Sequence, residues 1–343
     1  MKKTICLLLW TLCFLTACGP RGGKTADAKR SVYYWRTTFA LDSAERTFLT
    51  EHGVERLYLR LFDVVNTPEG PMPQGTLVFR DDMPESLETV PVVFFDTEVF
   101  NAPQKDLAGR LAERVEQMMS QHGLEWGGMQ VDFDWTARNQ TNYFAFLKEL
   151  GANLKGRGKG LSATVRLHQL AMAVPPVDYG ALMVYNIGRY AEREEKNSIL
   201  TVDNLRPYLP HLADYDLPLA TALPIYAWNL AFQGKEFKAI ARGADLADTT
   251  LYKRTREAKR EEYVVVRYHT LDNGAVTDRG GLRLYPGDVI RHEECSGEML
   301  KEVVRLLKKE RGNAAGEVIL YHLDKENIKK YEYEDIENLF GSR

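Results

Sequence analysis

The sequence predicts an α/β fold, a (β/α)8 TIM barrel with an α+β insertion between its seventh and eighth strands. Short runs rich in β-branched and aromatic residues alternate with helical patterns along most of the chain, which is typical of parallel βα units. The sequence contains eight candidate strands of this kind, a number that favours a closed barrel over an open, doubly wound sheet. No G-x-G-x-x-G follows any of the predicted strands, so an open dinucleotide-binding sheet would lack its phosphate loop.

An export signal precedes the first predicted strand. Lys2 and Lys3 open it, and the apolar run that follows is shorter than the ~20 residues that a membrane-spanning helix needs. The run closes on Leu15-Thr16-Ala17-Cys18, which resembles the lipobox of bacterial lipoproteins. This resemblance implies cleavage before Cys18 and attachment of lipid, including palmitate-type acyl chains, to that cysteine. The alternative is an ordinary secretory signal followed by a chance cysteine.

The lipobox divides the chain into three segments. We expect residues 1–17 to be the signal peptide, residues 18–30 a lipidated tether, and residues 31–343 the barrel domain. The expected location is the cell envelope, where the lipid would hold the protein in a membrane on the periplasmic or outer-membrane side.

Composition excludes several classes of function. The formal net charge of −3 provides no basic field for nucleic acid. Cys6 and Cys13 lie in the signal peptide and Cys18 is the lipidation site, so Cys295 would stand alone and no intrachain disulfide is expected. The zinc-binding motif H-E-x-x-H does not occur, and neither does the G-x-S-x-G motif that carries the nucleophilic serine of α/β-hydrolases. We therefore expect neither a metal nor a cofactor.

The strands and helices are predicted from apolar periodicity. The strands are expected at residues 32–35, 56–62, 89–95, 129–134, 161–165, 181–185, 217–223 and 317–321. The helices are expected at residues 43–51, 104–122, 143–154, 202–212, 299–309 and 335–340, with a kink at Pro207.

Two stretches interrupt the βα repeat. Residues 66–88 are rich in Pro and Gly and predict a loop with a short strand at 76–79. Residues 227–294 form the predicted insertion, with a helical piece at 235–244, a strand at 263–269 and a turn at Asn273-Gly274.

Polar and aromatic side chains follow nearly every predicted strand. The carboxyl ends of barrel strands face one bowl, where carboxylates accept hydrogen bonds from sugar hydroxyls and aromatic rings stack on sugar faces. A glycan or oligosaccharide is therefore the expected ligand. The candidate binding residues are Arg36, Asp63, Arg166, His168, Tyr185, Asn186, Tyr226, Trp228 and His322.

The fourth predicted strand carries the sharpest motif. Asp132 and Asp134 are two positions apart, so a strand would direct both carboxylates into the barrel. Two stacked acids repel each other unless one titrates high or each has a donor, and Arg166 on the next strand is a candidate donor. The alternative is a buried structural ion cluster. Asp132 and Asp134 are candidate catalytic residues, together with Asp96 and Glu98.

These motifs resemble those of the chitinase-like family 18 glycoside hydrolases, whose fourth strand reads D-G-x-D-x-D-x-E. Met183-Val184-Tyr185-Asn186 resembles that family's M-x-Y-D on strand six, and Leu223-Pro224-Ile225-Tyr226 resembles its P-x-Y after strand seven. An α+β insertion after strand seven is also typical of the family. A closer match is to uncharacterised chitinase-like barrels found as bacterial lipoproteins. The resemblance implies binding of an N-acetylated glycan.

The resemblance also implies roles for individual residues. Asp134 matches the aspartate that orients the substrate acetamide, Asp132 the inner aspartate and Tyr185 the strand-six tyrosine, while Thr136 stands at the position of the acid glutamate. Loss of a general acid typically removes about 10²–10⁴-fold of rate. We therefore expect carbohydrate binding without efficient hydrolysis. The alternative is a glycoside hydrolase whose general acid has moved to Glu98, Asp96 or Asp134.

Overall fold

The computed structural model describes residues 28–255, 260–272, 281–311 and 316–341. Cys18, the predicted signal peptide and the turn at Asn273-Gly274 lie outside these residues. Among the helices that the structure describes, none combines the length and the apolar character needed to cross a bilayer.

The described residues contain eight parallel strands, which close into a barrel. In chain order they are Lys29–Tyr34, Arg56–Thr67, Glu88–Phe95, Gly128–Asp132, Gly160–Arg166, Tyr179–Met183, Leu219–Pro224 and Glu317–Tyr321. The first strand closes the ring, because Val32 lies opposite Leu57 of the second strand and Leu320 of the eighth. The predicted barrel is confirmed, and we number these strands one to eight.

The ends of two barrel strands differ from the prediction. The fourth strand ends at Asp132 and the sixth at Met183, whereas the apolar pattern extends two residues further in each. Asp134 and Tyr185 therefore lie beyond the last ladder position of their strands. At both places the chain has already begun the loop at the barrel mouth.

Helices follow most of the barrel strands. Their bounds are Ser43–Glu51, Leu107–Gln121, Gln140–Lys155, Val202–Leu205, Leu209–Ala213, Gly297–Arg311, Lys325–Ile328 and Tyr333–Phe340. Short 3-10 segments lie at Val99–Asn101, Leu167–Ala171 and Arg206–Tyr208. The predicted kink at Pro207 is confirmed, because the third of these segments separates two short helices where proline supplies no backbone N–H.

The segment after the second barrel strand begins as a hairpin rather than a loop. The second strand continues to Thr67 and pairs with an antiparallel strand at Gly70–Gln74. The short strand predicted at 76–79 is present as Val78–Phe79 and pairs with Thr38–Phe39.

The insertion between the seventh and eighth barrel strands is built around an antiparallel sheet. Its strands are Trp228–Gln233, Glu236–Ile240, Tyr252–Arg254, Glu262–Val265 and Val289–Glu293, and a separate pair is formed by His269–Leu271 and Leu282–Leu284. The helix predicted at 235–244 is wrong. Gly234 adopts a positive φ of 59° and turns the chain into a hairpin, so Glu236–Ile240 pairs with the strand before it.

Buried tyrosines fill the barrel interior. Tyr33 is fully buried, and its hydroxyl donates a 2.6 Å hydrogen bond to Oε1 of Gln130 on the fourth strand. The fourth and fifth strands approach so closely that a Cβ at Gly128 would lie 2.6 Å from the carbonyl oxygen of Gly160. Cys295 is a buried free cysteine.

Candidate functional site

The candidate site lies at the mouth of the barrel. Because the eight strands are parallel, the side chains at their carboxyl ends open to the same side. This geometry confirms that Asp63, Asp96, Asp134, Arg166 and Tyr185 share one end of the barrel. They differ in how far each reaches into the mouth.

Asp132 is the buried carboxylate of the site, with 3% of its surface exposed. Its Oδ1 accepts a 2.7 Å hydrogen bond from the Thr164 hydroxyl and lies 3.5 Å from Nη2 of Arg166. The predicted pairing with Arg166 is therefore confirmed. Burial raises the pKa of Asp132 even though Arg166 and Thr164 act to lower it.

Asp134 lies in a different environment. Its side chain is 46% exposed, so the expectation of two stacked buried acids is wrong for this residue. Its Oδ1 accepts a 3.3 Å hydrogen bond from Nε2 of Gln169 and lies 3.6 Å from Nε2 of His168. Asp134 is therefore the carboxylate that faces the ligand space, while Asp132 forms part of the wall beneath it.

Arg166 and Tyr185 form the next layer of the mouth. The Arg166 guanidinium contacts Asp132 and also lies 2.6 Å from the sulfur of Met183. Tyr185 is 3% exposed, and in the described part of the chain its hydroxyl has no hydrogen-bond partner. A buried hydroxyl without a partner is costly, and this one belongs to a residue that lines the mouth. Burial raises the pKa of Tyr185 well above its ordinary value and keeps the hydroxyl protonated.

Two cavities, of ≈ 450 and ≈ 580 Å³, open at the mouth and meet at Asn186, Trp228 and Ile240. The smaller cavity, which we call the acidic compartment, is lined by Asp134, Arg166, Leu167, His168, Tyr185, Ile187, Gly188, Tyr190 and Tyr208 in addition to those three. The larger, which we call the insertion compartment, is lined by Tyr226, Ala227, Asn229, Ala241, Arg242, Gly243, Tyr321, His322, Asp324 and Asn327 in addition to the same three. Both volumes suit a small-molecule ligand.

Aromatic rings connect the two compartments. Tyr185 stacks on Tyr321 with ring centroids 5.0 Å apart, and Tyr226 contacts Tyr321 edge-on at 5.6 Å. Trp228 continues the series, 5.8 Å from Tyr226 and 6.1 Å from the exposed Tyr190. Tyr185 and Tyr226 are buried in this series, whereas Trp228, Tyr321 and Tyr190 keep exposed ring surface at the mouth.

His322 faces the insertion compartment. Burial lowers the pKa of its imidazole from the ordinary value of 6.5, although nearby Asp324 acts in the opposite direction. The amide of Asn327 lies 3.4 Å from its Nε2. His322 is therefore a neutral group that presents hydrogen-bonding atoms rather than a charge.

Two predicted binding residues, Arg36 and Asp63, are engaged in local contacts. Nη2 of Arg36 binds Glu45 at 2.7 Å, and its guanidinium lies 4.3 Å from the ring centre of Tyr34. Asp63 forms a 2.6 Å ion pair with Arg60, yet it is close enough to Asp132 to raise the pKa of that residue.

Asp96 and Glu98 lie in the turn after the third strand. Oδ1 of Asp96 accepts a 3.0 Å hydrogen bond from the backbone N–H of Glu98, whose side chain is exposed. This contact stabilises the turn and keeps the Asp96 carboxylate at the rim.

Thr136, at the predicted position of the acid, is exposed and begins the turn that leads into the helix Gln140–Lys155. Its backbone N–H donates a 2.8 Å hydrogen bond to Oδ1 of Asn139. The Thr136 side chain therefore lies in a loop and does not line either compartment.

Sequence reasoning missed Tyr321 and Gln169. Tyr321 ends the eighth strand and contacts Tyr185 and Tyr226 of the mouth and Tyr33 beneath them, a role that its position at a strand end signals. Gln169 lies in a short 3-10 segment, and only its contacts with Asp134 and with the carbonyl of Trp135 reveal its part in the site.

Chemically, the site provides one buried and one open carboxylate, a protonated phenol and a row of aromatic faces. In the described ranges, His, Cys, Asp and Glu side chains do not gather in a group of three or more that is able to hold a metal ion. The arrangement is suited to a neutral polar ligand with an apolar ring face.

Comparisons of the whole fold find solved structures at low sequence identity. The class V chitinase from Nicotiana tobaccum has a TM-score of 0.53 at 13% identity, covering 91% of this chain and 98% of that chain. The spore cortex-lytic enzyme SleL from Bacillus cereus has a TM-score of 0.54 at 12% identity, covering 91% and 74%. The chitinase-like agglutinin from Robinia pseudoacacia has a TM-score of 0.53 at 12% identity, covering 90% and 98%.

Sequence comparisons find no match to a protein-family model or to a curated protein. The structural likenesses extend over nearly the whole chain, and they establish that the chain has a chitinase-like α/β barrel.

Proposed function

We propose that the mouth of the barrel binds a carbohydrate and hydrolyses it slowly or not at all. The observation that carries this proposal is the aromatic-walled cleft lined by the half-exposed Asp134 together with Arg166 and Tyr185. A sugar fits this cleft because stacking on the rings and hydrogen bonding to the polar groups use different faces of the same ligand.

The structural neighbours support a glycan as the ligand. They include a chitinase and a protein named as a chitinase-like agglutinin, so the same fold occurs in a named enzyme and in a protein named for agglutination. An N-acetylated β-linked oligosaccharide is the ligand class that we propose for this chain.

Weak hydrolysis follows from the fourth strand. When the chitinase motif D-G-x-D-x-D-x-E is aligned so that its glutamate falls on Thr136, the general acid is replaced by a hydroxyl, which does not donate a proton near neutral pH.

The structure also supports a second alignment of the same motif. Gly128 is a position where a Cβ would collide with the neighbouring strand, and matching the pattern's glycine to Gly128 brings the glutamate onto Asp134. Both placements leave the chain without that glutamate.

A second candidate function, glycoside hydrolysis with Asp134 as general acid, is favoured by one observation. Asp134 is the half-exposed carboxylate of the acidic compartment, with His168 3.6 Å away. An aspartate is shorter than a glutamate by one methylene, so its proton would stop short of a glycosidic oxygen positioned for glutamate. We expect any such activity to be slow.

A fluorogenic chito-oligosaccharide assay on the wild type, Thr136→Glu and Asp134→Glu tests these alternatives. We expect wild-type turnover to be absent or very slow. Activity gained only in Asp134→Glu would support the placement of the acid at Asp134, and activity gained only in Thr136→Glu would support Thr136. Robust turnover by the wild type would overturn the proposal of weak hydrolysis.

The membrane anchor is a separate proposal, supported by the sequence alone. Lys2, Lys3, the apolar run and the lipobox ending at Cys18 are in the order that lipoprotein export requires. A lipid on Cys18 would hold the barrel at a membrane surface of the cell envelope.

A further inference from the structure

Trp228 occupies the boundary between the two compartments. It begins the first strand of the insertion, and it lines both cavities. Its ring contacts those of Tyr226 and Tyr190, with centroids 5.8 and 6.1 Å away. The orientation of this indole therefore sets the shape of the passage between the compartments.

A buried carboxylate holds the indole. Oε2 of Glu293 accepts a 2.7 Å hydrogen bond from Nε1 of Trp228. The same oxygen accepts hydrogen bonds from the backbone N–H and the hydroxyl of Ser198, at 3.0 and 2.5 Å. Glu293 is 2% exposed, so three donors converge on a carboxylate that water hardly reaches.

Arg291 balances the charge of Glu293. Its Nε lies 2.7 Å from Oε1 of Glu293, and the whole residue is buried. Its Nη1 and Nη2 donate hydrogen bonds to the carbonyls of Glu192, Arg193 and Tyr190 at 2.6–3.0 Å. A buried ion pair persists only when its remaining donors and acceptors are satisfied, and the 190–193 backbone satisfies those of Arg291.

The loop after the sixth strand closes around this network. The backbone N–H of Gly188 donates a 3.0 Å hydrogen bond to the carbonyl of Ser198. A Cβ at Gly188 would lie 2.7 Å from Cα of Ser198, so the two sides of the loop approach as closely as glycine permits. The loop that carries Tyr190 is thereby fixed to the sheet that carries Trp228.

We propose that Glu293 is a positioning residue that fixes Trp228 as the partition between the two compartments, so that the site selects an oligosaccharide long enough to occupy both. This inference rests on the proposed function, because it names the length of the ligand that the same mouth takes. A preorganised aromatic wall binds without the entropic cost of ordering the ring in the complex. Selectivity for length therefore depends on Glu293, although Glu293 itself lies behind the wall.

Calorimetric titration of the purified protein with di- and hexa-N-acetylchitooligosaccharides tests this role. We expect the wild type to bind the hexamer more tightly than the dimer. Glu293→Gln keeps the size of the side chain but replaces the charged acceptor of the Trp228 N–H with a weaker, neutral amide oxygen and removes the charge by which Arg291 fixes this group. It should lower the ratio of hexamer to dimer affinity by about tenfold and leave dimer affinity nearly unchanged. An unchanged ratio in folded Glu293→Gln protein would overturn the inference.

Two further variants make the test independent of the stability of Glu293→Gln. Trp228→Phe keeps a ring but removes the N–H that Glu293 holds, and we expect the same loss of length selectivity. Glu294→Gln makes the same chemical change in the neighbouring, exposed carboxylate, which pairs with His292 and Lys330, and should retain the wild-type ratio. Wild-type selectivity in Trp228→Phe would contradict the inference.

A ligand-free measurement separates this inference from the proposed function. If the wild type binds neither oligosaccharide, the proposed function fails, and 19F NMR of protein labelled with 5-fluorotryptophan then decides the positioning role. The Trp228 resonance, identified by its absence in Trp228→Phe, should be single in the wild type and shifted or broadened in Glu293→Gln. An identical resonance in both proteins would show that Glu293 does not position the indole.

Discussion

At the scale of the residue, the site depends on neighbouring side chains placed in opposite environments. Asp132 is buried against Arg166 and Thr164, whereas Asp134, two positions later, is half exposed beside His168. The alternation of the sequence correctly predicts the inward direction of Asp132 and its partner Arg166. It misplaces Asp134 because the strand ends before that residue, and the end of a ladder depends on loop packing that a local pattern does not contain.

Alanine substitutions should separate the roles of the two aspartates. Asp132→Ala removes a buried carboxylate with its contacts to Thr164 and the partly exposed Arg166, so thermal stability should fall, by less than the about 3–5 kcal/mol of a fully buried pair. Asp134→Ala removes an exposed group, for which stability changes of about 0.5 kcal/mol are usual, and should mainly weaken ligand binding. Thermal melts and titrations on both variants provide the comparison. Equal stability losses without any change in binding would assign both residues to structure.

His322 should give the protein a measurable dependence on pH. Its folded-state pKa is lowered from 6.5 by burial, so below that pH the unfolded chain takes up a proton that the folded chain does not. The contribution of His322 to stability is therefore present above about pH 6.5 and is lost as pH falls toward the lowered folded pKa.

Chemical denaturation of the wild type and His322→Gln at pH 7.5 and about pH 5 measures this effect. The variant removes the titrating group, so the wild type should lose more free energy of unfolding between the two pH values than the variant loses. Identical losses in both proteins would show that His322 titrates normally in the folded state.

At the scale of the element, alternation and helical periodicity predict the barrel strands and most helices, because each strand buries apolar residues in a recognisable run. The helix predicted at 235–244 fails because Gly234 starts a hairpin, and a five-residue strand is hard to distinguish from a helical turn by pattern. Local sequence patterns also do not predict the position of Trp228 between the two compartments. That position depends on Glu293, which lies opposite Trp228 on the paired strand of the insertion sheet.

Gly128 tests the packing of the fourth strand on the fifth. A Cβ there would lie 2.6 Å from the carbonyl oxygen of Gly160, so Gly128→Ala should push the strands apart and destabilise the fold by about 1–3 kcal/mol. Gly127→Ala is the matched control, because a Cβ at Gly127 meets nothing within 4 Å. Unfolding by urea distinguishes them, and an equally stable Gly128→Ala protein would contradict the close approach of the strands.

At the scale of the whole molecule, a chitinase-like barrel carries an open mouth at one end and, by our proposal, a lipid anchor ahead of its first strand. The barrel is shared with solved chitinases over about nine-tenths of the chain, even though sequence identity is near 13%. The proposed departure from the chitinase-like pattern lies at the acid position of the fourth strand. The proposed anchor rests on the export signal and lipobox ahead of the barrel, which end at Cys18.

Replacing that cysteine tests the anchor. Cys18→Ser removes the thiol to which lipid would attach, so the protein should lose the lipid mass and leave the membrane fraction. Membrane fractionation with mass spectrometry of the wild type and the variant checks this expectation. Cys295→Ser, which changes a buried cysteine within the barrel, is the control and should remain with membranes. A Cys18→Ser protein that fractionates as the wild type does would refute the anchor.

Native mass spectrometry of the wild-type protein with hexa-N-acetylchitohexaose reports both binding and cleavage in one spectrum and so decides whether the mouth binds a glycan without cutting it. We expect a complex with the mass of the intact hexamer, and that mass should persist over hours since neither Thr136 nor Asp134 is the glutamate of the chitinase pattern. The absence of any complex would contradict carbohydrate binding at the mouth. Rapid replacement of the hexamer by shorter products would contradict binding without efficient hydrolysis.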